Sequence, residues 1–249
     1  MYSIVIPCYK SAETIGTVVS ETAAEMDRIG RGDYEFVLVN DCSPDQGATI
    51  RKLKELASEK EYVKVIDLAK NSGQHNAMMA GLRAASGDVF VSMDDDMQTR
   101  PSELHKMFEA FDGGFDVVYG AYPEKKESLF RRFGSWVNKT CAVVFLGRPK
   151  NLRTSSFWII RKYVRDSIVS YDGAHTYLLG LILRSTSNIT QVEVEHFERE
   201  NGSSGYTFKA LLRLWSNIIG FTVKPLRIAM GGGNDNFRRG NRLCDHYFY

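Results

Sequence analysis

The chain reads as an α/β fold: a mostly parallel central sheet flanked by helices, with a C-terminal amphipathic helical segment. Three observations predict this. Through residue 120, short β-rich runs alternate with helical patterns, and such repetition joins parallel strands through right-handed crossovers. The 249 residues are 43% hydrophobic and 25% charged, an ordinary globular composition in a chain long enough to bury a core without metal or disulfide. Residues 208–219 then carry Leu211, Leu212, Leu214, Trp215, Ile218 and Ile219 on one wide apolar face.

The elements follow in order. Residues 3–6 form a buried strand, and residues 12–29 an amphipathic helix closed by Gly30 and Gly32. Residues 34–39 are a second strand, 46–58 a helix, 63–68 a third strand, and 76–85 a helix ended near Gly87. Residues 89–93 are a fourth strand, Pro101 at a first helical position opens another helix, and residues 115–119 are a fifth strand. Past Gly120 the alternation stops. Residues 129–146 read as a helix with Arg131 and Arg132 near its start, 156–160 as a strand, 176–183 as a short apolar helix and 188–196 as a strand. The tail, residues 231–249, is Gly-rich, then basic and aromatic, and reads as flexible.

The net charge of +2 hides an asymmetry. Residues 1–120 carry 12 Lys and Arg against 20 Asp and Glu, a net of −8, whereas residues 121–249 carry 20 against 10, a net of +10. An acidic half suits metal cations and a basic half suits phosphates or an anionic membrane surface; a solvated charged face is the bland alternative. Cys8, Cys42, Cys141 and Cys244 have no zinc-type spacing and no secreted-scaffold pattern, which implies a reduced, cytosolic compartment. The N-terminus is a first strand rather than a signal peptide. No window reaches the ~18 apolar residues of a membrane span, because Arg213, Lys224 and Arg227 interrupt the most apolar late stretch. The basic residues lack the aromatic interleaving of a nucleic-acid module, and His75, His105, His175, His196 and His246 show no hydrolase pairing with Ser or Cys.

Parallel sheets bind ligands beyond the carboxyl ends of their strands, and here those ends are polar. They read Pro7-Cys8-Tyr9, Asn40-Asp41-Cys42-Ser43-Pro44-Asp45, Lys70-Asn71-Ser72-Gly73 and Asp94-Asp95-Asp96. Three adjacent carboxylates repel one another, and a bound Mg²⁺ or Mn²⁺, hard cations that favour oxygen ligands, would compensate them. Alternation along a continuing strand points Asp94 and Asp96 one way and Asp95 the other. Alone, the triplet also fits a solvated acidic turn before the helix at Pro101. Tyr9 and Asp41, taken singly, read as a packed aromatic and a turn-forming Asp.

In this order and spacing, the four strand ends with Gln74 and Gln98 resemble the family 2 glycosyltransferases of Rossmann-like GT-A fold. Within that family, residues 196–207 and the ending Phe221-Thr222-Val223-Lys224-Pro225-Leu226-Arg227 resemble members that glycosylate a polyprenyl phosphate, of the dolichyl-phosphate mannose synthase type. The resemblance implies a GT-A catalytic domain over residues 1–207, a membrane-proximal helix over 208–230 and a basic tail over 231–249. It implies that Pro7, Tyr9 and Asp41 line base and ribose, with Lys70, Gly73, Asp94 and Asp95 completing the nucleotide-sugar site. Asp94 and Asp96 become the metal pair, with Gln98 beside metal and donor as the third catalytic residue. Cys42, Asp95 and Tyr122 with Lys125 depart from the usual pattern, which has a Gly, a small residue and arginines there.

The resemblance further implies an inverting transferase that moves a sugar from a UDP- or GDP-sugar to an undecaprenyl- or dolichyl-type phosphate at the cytoplasmic membrane face. A phosphomonoester with second pKa ~6 is already an anion near neutrality and needs positive charge more than a general base. Residues 121–165 supply eleven Lys and Arg against two acidic residues, Glu124 and Glu127. Arg131, Arg132, Ser135, Arg199 and Ser203 are the expected acceptor-phosphate residues. The same charge also suits an anionic lipid surface. The helix at 208–219 suits either the headgroup region or burial against the sheet. A membrane partner subunit fits this picture, and nucleic acid does not. Transfer to a saccharide hydroxyl, or nucleotide-sugar binding without catalysis, are the alternatives.

Overall fold

The computed structural model describes residues 1–123, 140, 142–144, 146–173 and 176–195. The described strands are β1 (Tyr2–Cys8), β2 (Tyr34–Asn40), β3 (Val63–Asp67), β4 (Val89–Ser92), β5 (Val117–Ala121), β6 (Trp158–Arg161) and β7 (Ile189–Glu193). The helices are α1 (Ile15–Arg28), α2 (Ala48–Glu59), α3 (Gln74–Ala84), α4 (Leu104–Asp112, preceded by a single 3₁₀ turn at Pro101–Glu103), α5 (Lys162–Val169) and α6 (Leu178–Ser185). All belong to one unit, Met1–Lys126 with Asn151–Ser204. A second unit takes Glu127–Lys150 and Gly205–Tyr249, and in it residues 140, 142–144 and 146 are helical.

The seven strands form one sheet in the order β3-β2-β1-β4-β6-β5-β7. β1 pairs in parallel with β2 and β4, β2 with β3, and β5 with β7. β6 runs antiparallel between β4 and β5, so six strands point one way and one points back. Val, Ile, Leu and Phe fill both faces of β1 and β2, the expected pattern for strands covered by helices on both sides. One core cluster gathers Ile4, Ile6, Phe36 and Leu38 with Val18, Met26, Leu53 and Phe108.

Boundaries differ from the sequence reading where packing overrides pattern. β5 lies two residues later than expected and runs through Gly120, where an added Cβ would stand 2.6 Å from Phe157 Cδ1. The strand needs a bare backbone there because β6 crosses close by. α5 escaped notice because its buried residues are only Val164 and Ile168. β4 stops at Ser92, one residue earlier than expected, so the carboxylate triplet lies beyond the strand. The alternation argument for Asp94, Asp95 and Asp96 therefore does not apply. Among the described residues, no helix is long and apolar enough to cross a membrane.

Candidate active site

A cleft of about 1410 Å³ opens at the sheet edge where β1, β2, β3 and β4 end. Its wall includes Pro7 and Cys8 at the end of β1 with Tyr9 just beyond, Asp41 after β2, and Asn71, Gly73 and Gln74 after β3. Asp94, Asp95, Asp96, Met97 and Gln98 follow β4, and Ser156 precedes β6. Of the expected nucleotide-sugar residues, Pro7, Tyr9, Asp41, Gly73, Asp94 and Asp95 meet here, together with Asp96 and Gln98. Lys70 does not: it is exposed on the loop after β3, outside the cleft wall. Arg131, Arg132, Ser135, Arg199 and Ser203 lie outside the described residues, as do residues 196–207 and 208–230.

Asp41 is 5% exposed, and its two oxygens accept the backbone N–H groups of Ser72 at 2.6 Å and Gly73 at 2.9 Å. It thereby shapes the loop that ends in Gly73, whose φ of +83° is natural only for glycine. Asp94 Oδ1 accepts Gln74 Nε2–H at 2.9 Å, and its Oδ2 accepts the hydroxyl of Ser156. Burial, opposed by the Ser156 bond and reinforced by Asp96 and Asp95, pushes the Asp94 carboxyl up to about 6. Asp95 Oδ2 accepts the Tyr9 N–H at 3.0 Å and the Ser11 hydroxyl, and burial raises this carboxyl as well. Asp96 Oδ1 accepts the Gln98 N–H at 3.1 Å. Tyr9 is 48% exposed and presents its ring to the cleft, with Lys10 Nζ 5.9 Å from the ring centre.

Ser156 was not foreseen, and antiparallel register explains its place. Ser92 on β4 faces Trp158 on β6. Two residues further along, the same register sets Asp94 against Ser156, and Ser92 Oγ donates to the Ser156 carbonyl at 2.7 Å. Only a strand running against its neighbours brings the residues before it to the carboxyl edge of the sheet. Tyr122, one of the departures from the family pattern, packs at this edge with its hydroxyl 2.7 Å from Thr99 Oγ1.

The donor set fits a divalent cation. Three carboxylates share one wall, and burial raises the proton affinity of Asp94 and Asp95, which a cation placed there would offset. Among the described residues no group of three His, Cys, Asp or Glu side chains is placed to hold a metal ion by itself. Asp94 and Asp96 would supply part of the shell, and phosphate oxygens and water the rest, the usual pattern for Mg²⁺ held with a phosphorylated ligand.

A strand-end cleft with this carboxylate wall is the architecture of a nucleotide-sugar transferase. The chain matches glycosyl transferase family 2 over residues 3–169 and belongs to that family. It is 32% identical over 231 residues to the undecaprenyl-phosphate 4-deoxy-4-formamido-L-arabinose transferase of Pectobacterium atrosepticum, covering 91% of this chain and 69% of the relative. With the same shares, it is 29% identical over 228 residues to the transferase of that name from Enterobacter sp.. Among solved structures it resembles glucosyl-3-phosphoglycerate synthase of Mycobacterium tuberculosis, crystallised with Mn²⁺, uridine diphosphate and phosphoglyceric acid. The TM-score is 0.65 at 18% identity, over 88% of this chain and 78% of that one. This likeness is one of fold, and it agrees with the expected GT-A architecture.

Proposed function

We propose that the protein transfers a sugar, with inversion, from a UDP- or GDP-sugar to a polyprenyl phosphate of undecaprenyl or dolichyl type. The observation that carries the reading is the carboxylate wall at a strand-end cleft, in a chain whose curated relatives are named as undecaprenyl-phosphate transferases. In this reading residues 1–207 are the catalytic domain, 208–230 a membrane-proximal helix and 231–249 a basic tail. The enzyme sits peripherally on the cytoplasmic face, drawn to anionic lipid and open to a membrane partner subunit.

Tyr9 stacks on the base, and Pro7, Gly73 and Asp41 bound the ribose. Asp94, held by Gln74 and Ser156, and Asp96 face the diphosphate. When bound there, Mg²⁺ or Mn²⁺ supplies positive charge against the leaving diphosphate. Gln98 follows Asp96 in one tight turn and orients its amide beside the donor. An oxygen of the acceptor phosphate attacks the anomeric carbon as the sugar–diphosphate bond breaks, so the chain has no hydroxyl proton to remove. Arg131, Arg132, Ser135, Arg199 and Ser203 seat that phosphate.

The test is a panel of UDP- and GDP-sugars with a synthetic polyprenyl phosphate in detergent and Mg²⁺ or Mn²⁺, read by mass of the lipid product. A polyprenyl-linked sugar that disappears with EDTA supports the reading. Product formed only on a saccharide acceptor, or nucleotide binding with no product on any acceptor, overturns it.

A further inference from the structure

The three carboxylates of the cleft wall do not share one task. Asp95 directs a single oxygen, Oδ2, at two donors in the turn that follows β1: the Tyr9 N–H at 3.0 Å and the Ser11 hydroxyl. The residue between them, Lys10, has a φ of +59°, a left-handed backbone that non-glycine residues adopt at a cost and keep only when their surroundings hold them there. Other holds come from the loop after β2 and from α2. Lys10 N–H donates to Ser43 Oγ at 3.1 Å, and Ser11 N–H to Thr49 Oγ1 at 3.0 Å. Among the described residues, it is Asp95 that ties the turn across to the segment after β4. The exposed Tyr9 ring is carried on this turn.

We propose that Asp95 is a positioning residue: its Oδ2 clamps the Tyr9–Lys10–Ser11 turn to the carboxylate wall, so that Tyr9 is preset for the nucleotide, and its charge is not what the site uses. This rests on the nucleotide-sugar reading above and deepens it. Asparagine at position 95 keeps a carbonyl oxygen able to accept both bonds, whereas alanine removes the acceptor. Both substitutions delete the charge. The difference between them therefore isolates the clamp from any metal or electrostatic role.

Two measurements on the full chain test the proposal. Hydrogen exchange reads the clamp directly. The Tyr9 amide stays protected in wild type and Asp95→Asn, and exchanges at least about tenfold faster in Asp95→Ala. Calorimetric titration with UDP and with GDP, in EDTA, reads the consequence: Asp95→Asn binds the preferred nucleotide about tenfold more tightly than Asp95→Ala. Should Asp95→Ala not fold, Ser11→Ala takes its place, with the Tyr9 amide still protected and binding about threefold weaker than wild type. Asp95→Asn and Asp95→Ala behaving alike in both measurements, or Ser11→Ala binding as wild type does, overturns the clamp. Wild type that binds neither nucleotide sinks the nucleotide-sugar reading instead, and the exchange pattern then decides the clamp alone.

Discussion

Asp94→Asn tests the electrostatics of the cleft without destroying its geometry. The asparagine carbonyl can accept from Gln74 Nε2 as Oδ1 does, and its amide can donate to Ser156 Oγ, so both anchors survive. What disappears is a half-buried negative charge in the cleft wall. Burial first, then Asp96 and Asp95 against the Ser156 and Gln74 bonds, carries this carboxyl from 3.8 up to about 6 in the folded protein. A carboxyl raised in this way contributes stability that is fully present below about pH 3.8 and is lost as pH rises through about 6. At ~1.4 kcal/mol per pH unit, the gap corresponds to a ceiling of about 3 kcal/mol of destabilisation at pH 7.5. In EDTA, Asp94→Asn should therefore be more stable than wild type at pH 7.5, by about 1–3 kcal/mol or roughly 3–9 °C in Tm. The gain should shrink toward zero near pH 4, where the wild-type carboxyl is protonated. Mn²⁺ should raise the Tm of wild type and leave that of Asp94→Asn nearly unchanged, while turnover of the variant falls by orders of magnitude. Scanning calorimetry at both pH values, with and without Mn²⁺, reads all of this. A variant less stable than wild type at pH 7.5, or a gain of equal size at both pH values, would refute the assignment of Asp94 as an uncompensated half-buried charge.

Other substitutions separate binding, catalysis and packing. Asp96→Asn should abolish Mn²⁺-dependent turnover by several kcal/mol of barrier while leaving the thermal transition within a few degrees; unaltered kinetics and Mn²⁺ response remove Asp96 from the metal pair. Asp41→Ala frees the Ser72 and Gly73 amides and should raise KM for the nucleotide sugar about tenfold or more with kcat within about threefold. Steady-state kinetics in which kcat falls and KM holds would move Asp41 to the reacting centre. Gly81 packs α3 against β1 and β2, where an added Cβ would lie 2.3 Å from Val5 Cγ1 and 3.0 Å from Val39 Cγ2. Gly81→Ala should cost about 1–3 kcal/mol in urea unfolding, and a neutral result would show that the α3 contact yields easily.

The parallel half of the fold was legible because each of its strands is a short apolar run ended by polar residues, and β1 to β4 fall within one or two residues of the expected bounds at most ends. The same rule exposed Pro7, Tyr9, Asp41, Gly73, Asp94 and Asp96, and the family resemblance added Gln98; all of them reach the cleft wall at or beyond the carboxyl ends of parallel strands. Ser156 was hidden. A serine before an apolar run carries no signal until the strand is known to run backwards beside β4, and strand direction is a property of the sheet rather than of the segment. Ser11 was missed for a related reason: its hydroxyl matters only because Asp95 stands opposite, 84 residues away. Lys70, from the same kind of strand end, is exposed and is not part of the cleft wall.

The hydrogen bonds of the cleft sort its carboxylates by what a ligand can displace. Asp41 and Asp95 accept backbone N–H groups from distant loops, and loss of either acceptor would break a bond that holds a loop in place. Those two carboxylates are therefore committed to holding chain segments in place. Asp94 is held by an amide and a hydroxyl on side chains, and each of these donors can rotate to another acceptor. Asp96 accepts its backbone bond from Gln98, only two residues on, within its own turn. In the proposed reading, a cation approaching the wall competes with mobile side-chain donors at Asp94 and with bonding within its own turn at Asp96, but with the frame of the cleft itself at Asp41 and Asp95. Burial, with repulsion within the triplet, raises the affinity of Asp94 for a proton, and in the proposed reading it is Asp94 and Asp96 that meet a cation.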